Sequence, residues 1–476
     1  MSGASSRTLT RSVVSAGLLT LLGACVTRPP SAPVDETQRL QQAGVALQLP
    51  VGAGLTVNTP ADTPAMAWQA VVRDPQLRRW IEQALAHNRD LRVATLTVQR
   101  AQAQLGLADA NRLPTVGAGL GASRAPNGQG KEATTLTAGV QLNAWEIDLF
   151  GRLASLSDAA RAQLLSSEAG RRATELTVVA AVLQTGLALQ ADDELLDLAR
   201  QALASREQTL KLTQLRESVG AASLLELQAQ QTLALQARTT LAQLTRQQAQ
   251  DRNALALLLG QPAAVDAAPA GATATAPKLA DETWLSEVPV GLSSAVLLRR
   301  PDVISAEQTM RAAQANIAAA RAAFWPSITL TAQAGQASPQ LSGLFAGGNF
   351  AYSLAANALL TVFDSGRRQA NVAVAEAAQR SAQALYERSI QSAFRDTADA
   401  LAGLTTWREQ LAAQTAQRDV ARDTARLTEL KASQGAASAL ERLDAQRALF
   451  VAEQAVVQVR LGELNNRVGL FKALGG

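Results

Sequence analysis

The sequence predicts a mainly α fold with a small amount of membrane-spanning β-structure, assembled from two copies of one unit. Three observations predict it. Residues 212–226 (LTQLRESVGAASLLE) and 427–441 (LTELKASQGAASALE) match without a gap at ten of fifteen positions and are offset by 215, which marks a duplicated domain. Each copy contains a helix-periodic run of some 66 residues free of proline, about 100 Å if continuous. Each also contains, just after a proline, a short stretch that switches to a period of two.

Composition agrees with long packed helices. Of the 476 residues only 3% are aromatic and 18% charged, with abundant Ala, Leu, Gln and Arg. The 44 basic and 40 acidic residues interleave along helices, with no basic block or aromatic platform, so a nucleic-acid partner is not expected. Residues 1–24 read as an export signal: Arg7 and Arg11 precede the apolar stretch Val13–Leu22, and no acid occurs before Asp35. That stretch is too short to span a bilayer, and no run of 18 or more apolar residues follows it. Any membrane span must therefore be made of strands.

After the signal, residues 25–66 hold Pro29, Pro30 and Pro33 among small polar residues and read as an extended arm. The first repeat occupies 67–260. Its opening helical tract starts at Asp74-Pro75 and runs to Asn111, and strands follow at about 114–124 and 133–147. Leu136, Ala138, Val140 and Leu142 alternate with Thr137, Gly139, Gln141 and Asn143, one face suited to lipid and the other to water. The turn Asp148–Arg152 leads into a helix at about 151–218, in which Leu189, Leu196, Leu203 and Leu210 recur every seven residues as a coiled-coil seam. Gly220 reverses the chain and a return helix covers about 223–259. Residues 261–295 form the linker between the halves.

The second repeat, 296–476, restates this plan. Pro301 opens a tract ending at Phe324, strands lie at about 326–336 and 350–363, and helices at about 366–433 and 438–469 turn at Gly435. Four strands cannot close a membrane barrel, because an open edge leaves backbone groups unsatisfied in hydrocarbon and the smallest closed barrels use about eight. The chain must oligomerise if it spans, and a trimer supplies twelve strands.

Side-chain chemistry is sparse. The single histidine, His87, has no second ligand at metal spacing, and no phosphate loop or nucleophile elbow occurs, so neither a metal site nor an enzyme is expected. Glu226 lies six residues past Gly220, while Glu441 and Asp444 lie six and nine past Gly435 and three apart, on one helix face.

Leu22-Gly23-Ala24-Cys25 resembles the lipobox of bacterial lipoproteins, in which cleavage precedes a cysteine that is then acylated; Cys25 is also the only cysteine. Val26 stands where an inner-membrane retention signal would place Asp, which points to the outer membrane. Together with Trp68, Asp74–Leu77, Ala84–Leu91 and Arg299–Val303, the lipobox and the duplicated hairpins resemble the TolC-like outer-membrane factor family, specifically its OprM-like, NodT-type lipoprotein branch. The resemblance covers nearly all of the mature chain. It implies a homotrimer whose twelve-stranded outer-membrane β-barrel continues into a helical periplasmic α-barrel. The implied function is that of exit duct of a tripartite efflux system, passing drugs or other small molecules from a periplasmic adaptor and an inner-membrane pump of the RND type. It implies no cofactor beyond lipid on Cys25.

By the same resemblance Glu226, Glu441 and Asp444 line the periplasmic aperture, and the turns Val219-Gly220-Ala221 and Gln434-Gly435-Ala436 meet the adaptor. Leu225 and Ala437 depart from the family pattern of polar or basic gate partners. Charge at a helix N-terminus and ordinary C-capping account for the same acids and glycines locally. Two other outlets, for type I protein secretion or metal efflux, fit the same duct. A lipid-anchored periplasmic adaptor or scaffold also has long hairpins, but with one hairpin flanked by small β-domains rather than two separated by strand pairs.

Overall fold

The computed structural model describes residues 35–49, 67–126, 130, 132–261, 279 and 293–476. Cys25, the signal at 1–24 and most of the linker at 261–295 lie outside the described residues. In chain order the elements are α1 (Glu36–Gln42), α2 (Trp68–Val71), α3 (Pro75–His87), α4 (Arg89–Ala110), β1 (Val116–Pro126), β2 (Glu132–Ile147), α5 (Arg152–Ser218) and α6 (Leu224–Leu259). After a 3-10 turn at Ser294–Arg299 come α7 (Pro301–Ala322), β3 (Ser327–Ser338), a 3-10 turn at Leu341–Gly343, β4 (Phe350–Leu359), α8 (Arg367–Ser433) and α9 (Ala439–Ala473).

The opening tract is two helices where the sequence reading has one. Asp74 caps α3 by accepting from the Gln76 and Leu77 amides at 2.8 and 2.7 Å, with Pro75 at the first helical position. Asn88 then breaks the tract: its Oδ1 accepts from the Asp90 and Leu91 amides to cap α4, while its Nδ2 donates to the Leu258 carbonyl at 2.9 Å. The corner is thereby stapled to the end of α6. Gly260, which ends α6 at φ +69°, lies so close that a Cβ would stand 2.3 Å from the His87 carbonyl oxygen.

Helices α5 and α8 are each a single continuous run of 67 residues, about 100 Å long. Near the strands α4, α5, α7 and α8 pack side by side; farther away α5 pairs with α6 and α8 with α9, and α9 also lies along α5. One apolar cluster joins α3, α5, α6 and α9 through Leu77, Ile81, Leu183, Leu187, Leu255 and Val468. An 18-residue stretch of α5 reaches a mean hydropathy of 1.2, enough to cross a membrane by composition, but half of it is buried in the protein. Of the leucine heptad only Leu189 and Leu196 are buried, since the seam tightens where a third helix packs. Helix α9 runs past Gly469 to Ala473 and stops before Gly475 and Gly476, both at positive φ.

The four strands form one antiparallel sheet in the order β1-β2-β3-β4. The register places Leu120, Ala138 and Gln336 on one row and Val116, Leu142, Ala332 and Leu354 on another of the same face. The opposite face carries Gln141 beside Gln333 and Ser353, with Gly139 against Gly335. There the backbones approach so closely that a Cβ on either glycine would lie within 2.3 Å of a carbonyl oxygen. A bulge between Leu142 and Trp145, with Ala144 at φ +43°, re-aims the chain so that Trp145 and Ile147 rejoin the apolar face opposite Leu330 and Ile328. β4 ends at Leu359, short of the expected 363; Asp364 instead caps the coming helix, accepting from the Gly366 and Arg368 amides at 3.1 Å each.

The arm is not extended throughout. Residues 36–42 are helical, and Leu40, Ala43, Val45 and Leu49 bury against Leu297, Ile390 and Leu470 of the second half. Arg39 pairs with Glu307 at 3.0 Å, and Gln391 donates to the Ala43 carbonyl at 2.8 Å.

Gly260→Ala is expected to destabilise the fold by about 2 kcal/mol or more, since it adds left-handed strain to a backbone collision. A urea unfolding midpoint equal to that of the parent protein would refute the staple.

Candidate functional site

The far ends of the hairpins are built from two kinds of cap. In the first, Gly220 sits at φ +76°, and the amides of Gly220 and Ala221 donate to the carbonyls of Glu217 and Arg216 at 2.8 and 2.7 Å. In the second, Gly435 sits at φ +73°, and Gly435 and Ala436 donate to Ala432 and Lys431 at 3.1 and 2.8 Å. Both are Schellman motifs, so glycine is required by the left-handed backbone at each reversal. Val219 is well exposed, and Gln434 and Ala436 are also exposed.

Two residues on, Ser223 and Ser438 start the returning helices by accepting from the amides of Glu226 and Glu441, each at 3.1 Å. The two ends then differ. Glu441 closes a full capping box, accepting from the Ser438 amide at 2.7 Å and hydroxyl at 2.9 Å, and these bonds hold its carboxyl below the usual carboxylate range. Glu226 turns instead across its own hairpin toward Arg216, 3.7 Å away. Asp444 is exposed on the same helix as Glu441. Arg442 on α9 reaches Glu429 on α8 at 3.6 Å. Leu225 and Leu440 stand exposed at the start of the two returning helices.

Sequence reading did not find Arg216, Arg442 or Glu429. Arg216 was detectable, being the last basic residue before Gly220, one helical turn away. The Arg442–Glu429 pair has no counterpart in the first half, where the offset positions are Leu227 and Gln214, so the repeat gave no signal for it.

At the opposite end the sheet meets the long helices through an aromatic and charged collar. Phe150 stacks on Trp325 with centroids 5.3 Å apart, Trp145 donates to the Arg112 carbonyl at 3.0 Å, and Arg368 lies 5.1 Å over the Phe324 ring. Arg152 grips Glu146 through two bonds of 2.9 and 2.5 Å; in the second half Arg368, not Arg367, takes this role with Asp364 at 2.8 Å. Above the collar the apolar sheet face exposes Val116, Leu120, Val140, Phe350, Tyr352 and Leu354. Such a face is stable against lipid, and the collar's rings suit the boundary between lipid and water. His87 is exposed, and among the described residues no group of His, Cys, Asp or Glu is placed to hold a metal ion.

The family model described as outer membrane efflux protein matches residues 80–261 and 292–476. The toluene efflux pump outer membrane protein TtgC of Pseudomonas putida is 38% identical over 444 residues, covering 91% of this chain and 90% of its own. A solved membrane protein from Pseudomonas aeruginosa superposes with a TM-score of 0.81 at 36% identity, covering 89% of this chain and 97% of that one. The open state of the MtrE outer membrane channel of Neisseria gonorrhoeae superposes with a TM-score of 0.77 at 31% identity, covering 90% and 98%.

Because Glu441 titrates below the usual range, the stability its box gives the start of α9 is complete above that range and is lost as pH falls below it, through the lowered value. A spin label on Leu440→Cys should become more mobile as pH is lowered from 6 to about 3, and Ser438→Ala should give the mobile spectrum at both values. A label that stays equally immobile throughout, or a Ser438→Ala variant with the parent's response, would show that the box does not order this turn.

Proposed function

The chain belongs to the outer membrane efflux protein family and is an outer-membrane efflux channel, and from that premise we propose that it works as a homotrimeric exit duct. The observation that carries this reading is a sheet with one apolar, exposed face and two unpaired edges, mounted on helices of about 100 Å. Three copies pair β4 of one to β1 of the next, giving twelve strands with the apolar face outward and the Gln, Ser and Thr face lining the lumen. The long helices then close a second barrel in the periplasm.

In that assembly the reversals at Val219–Ala221 and Gln434–Ala436 are the surfaces offered to a periplasmic adaptor, coupled to an inner-membrane pump of the RND type. Glu226, Glu441 and Asp444 from each copy recur around the narrow periplasmic mouth. Acyl chains on Cys25 hold the arm to the outer membrane, each contributing about 0.8 kcal/mol per buried methylene. Conduction is passive. Among the described residues no group is placed to hold a metal ion, and the cargo is drugs or other small molecules, a reading supported by the toluene efflux relative.

The combined variant Glu226→Gln, Glu441→Gln, Asp444→Asn is expected to assemble normally. Gln at the third position still completes a capping box, and the exposed Arg216 pair is worth about 1 kcal/mol or less. In planar bilayers it should lose most of the parent's cation preference and its block by multivalent cations from the periplasmic side. Unchanged selectivity and block, with normal assembly, would place the aperture elsewhere.

Intact mass of the protein from outer membranes should show an acylated Cys25 as the first residue. Cys25→Ser should weaken anchoring but leave strand insertion intact, since strand closure satisfies the backbone. An unmodified cysteine on membrane-extracted protein would remove the lipid from the scheme.

A further inference from the structure

Midway along α5, where the core shared with α6 and α9 is densest, lies a carboxyl group that the duct function does not use. Asp192 is 5% exposed, and among the described residues its Oδ2 has no hydrogen-bond donor in reach. It faces Asp251 on α6, which is itself held by Gln247 at 3.1 Å. A buried carboxylate oxygen without a donor is costly, and two carboxylates in contact cannot both stay ionised. One shared proton resolves both problems, because it makes one acid the donor and the other the acceptor.

Among the described residues the surroundings supply no alternative. On α5 itself Asp193 accepts from Gln248, and Glu194 accepts from the Leu279 amide. On α6 Arg252 is exposed. On α9 Arg460 and Arg467 are engaged with a buried acid of their own, holding Glu463 at 3.1 and 2.6 Å. On α3 Arg78 is spent on the Val72 and Gln69 carbonyls, and Glu82 is exposed. The charges acting on Asp192 are those of Asp251 and Asp193, both negative. Burial first, then the bond to Asp251 and these two charges, push its carboxyl up to about 7.

The duplication provides an internal comparison. By the offset that relates the halves, Asp192 corresponds to Trp407 and Asp251 to Asn466. There the contact between outgoing and returning helix is permanent: Trp407 packs over Gly462, and the Asn466 amide donates to the Ala400 carbonyl at 2.9 Å. The same joint in two copies of one fold is proton-independent in the second and acidic in the first.

We propose that Asp192 and Asp251 form a proton-binding latch that clamps α5 to α6 when one proton is shared between the two carboxyls and loosens the first hairpin when that proton leaves. A group whose carboxyl is raised in the fold binds its proton more tightly folded than unfolded. The stabilisation is therefore complete below the ordinary carboxylate range and is lost as pH rises through about 7. Since 28 residues separate Asp192 from Gly220, the loosened arm extends about 40 Å to the hairpin tip.

Amide hydrogen exchange of the full-length protein in its native assembly, corrected for intrinsic rates, tests this at pH 6 and 8. Protection across 186–199 and 244–257 should fall by about tenfold between these values, while 401–414 and 459–472 stay level. Asp251→Asn, whose amide donates permanently to Asp192, should keep the first pair of segments protected at both values; Asp192→Asn provides the same result from the other side. Equal protection of the parent at pH 6 and 8, equal losses in both halves, or a pH response that survives Asp251→Asn would each overturn the latch.

Discussion

Backbone hydrogen bonding in hydrocarbon is the constraint on which the rest of this molecule depends. A strand edge cannot be left open to lipid, because each unpaired amide or carbonyl there costs several kcal/mol. The chain contributes a four-stranded sheet whose outer strands, β1 and β4, each have one edge without a partner among the described residues. The helices below the sheet leave it at two fixed corners. The Asp148–Arg152 and Asp364–Arg368 corners set where each long helix leaves the sheet, and the Glu146–Arg152 and Asp364–Arg368 pairs hold those exits. The glycine pair Gly139 and Gly335 lets β2 and β3 approach at the junction between the halves, so the seam of the duplication runs through the centre of the sheet.

Duplication gave the two halves the same skeleton and then different fastenings. Both reversals use the same left-handed glycine and the same serine cap, yet one glutamate closes its cap and the other crosses to an arginine. Both long helices have 67 residues, yet only the first packs against a third helix from the other half. Length and turn geometry are thus the same in both arms, while the contacts along them differ.

Much of this was legible in the sequence, for identifiable reasons. The helical class followed from composition and from runs without proline, and the strands from strict alternation after Pro114 and Pro326, because lipid on one side and water on the other leave little freedom in the pattern. The parts that were not legible depend on distant partners. Asn88 reads as one polar residue in a helical tract until Leu258 is seen to accept from it. The bulge at Asn143–Ala144 has no glycine to announce it, since Ala144 itself takes the positive φ. Leu40, Ala43, Val45 and Leu49 are too few and too irregular to outweigh the prolines around them, and their burial is decided by a surface near the other end of the chain. At the hairpin ends the acids were visible, but whether each faces its own cap or an arginine on the adjoining helix was not, because the two arrangements share one sequence pattern.

The docking of the N-terminal arm carries a consequence for how the protein is made. Leu40 and Leu470 belong to the same apolar cluster, and Arg300 in the adjoining turn donates to the Ala473 carbonyl at 2.9 Å. Contacts so far apart in sequence are slow to form, and this cluster is completed by Leu470 of its last helix. It stays open until α9 has been made. Maturation is thus ordered by position along the chain: a polypeptide that still lacks α9 carries an unfinished apolar cluster, which closes only once that helix has been made.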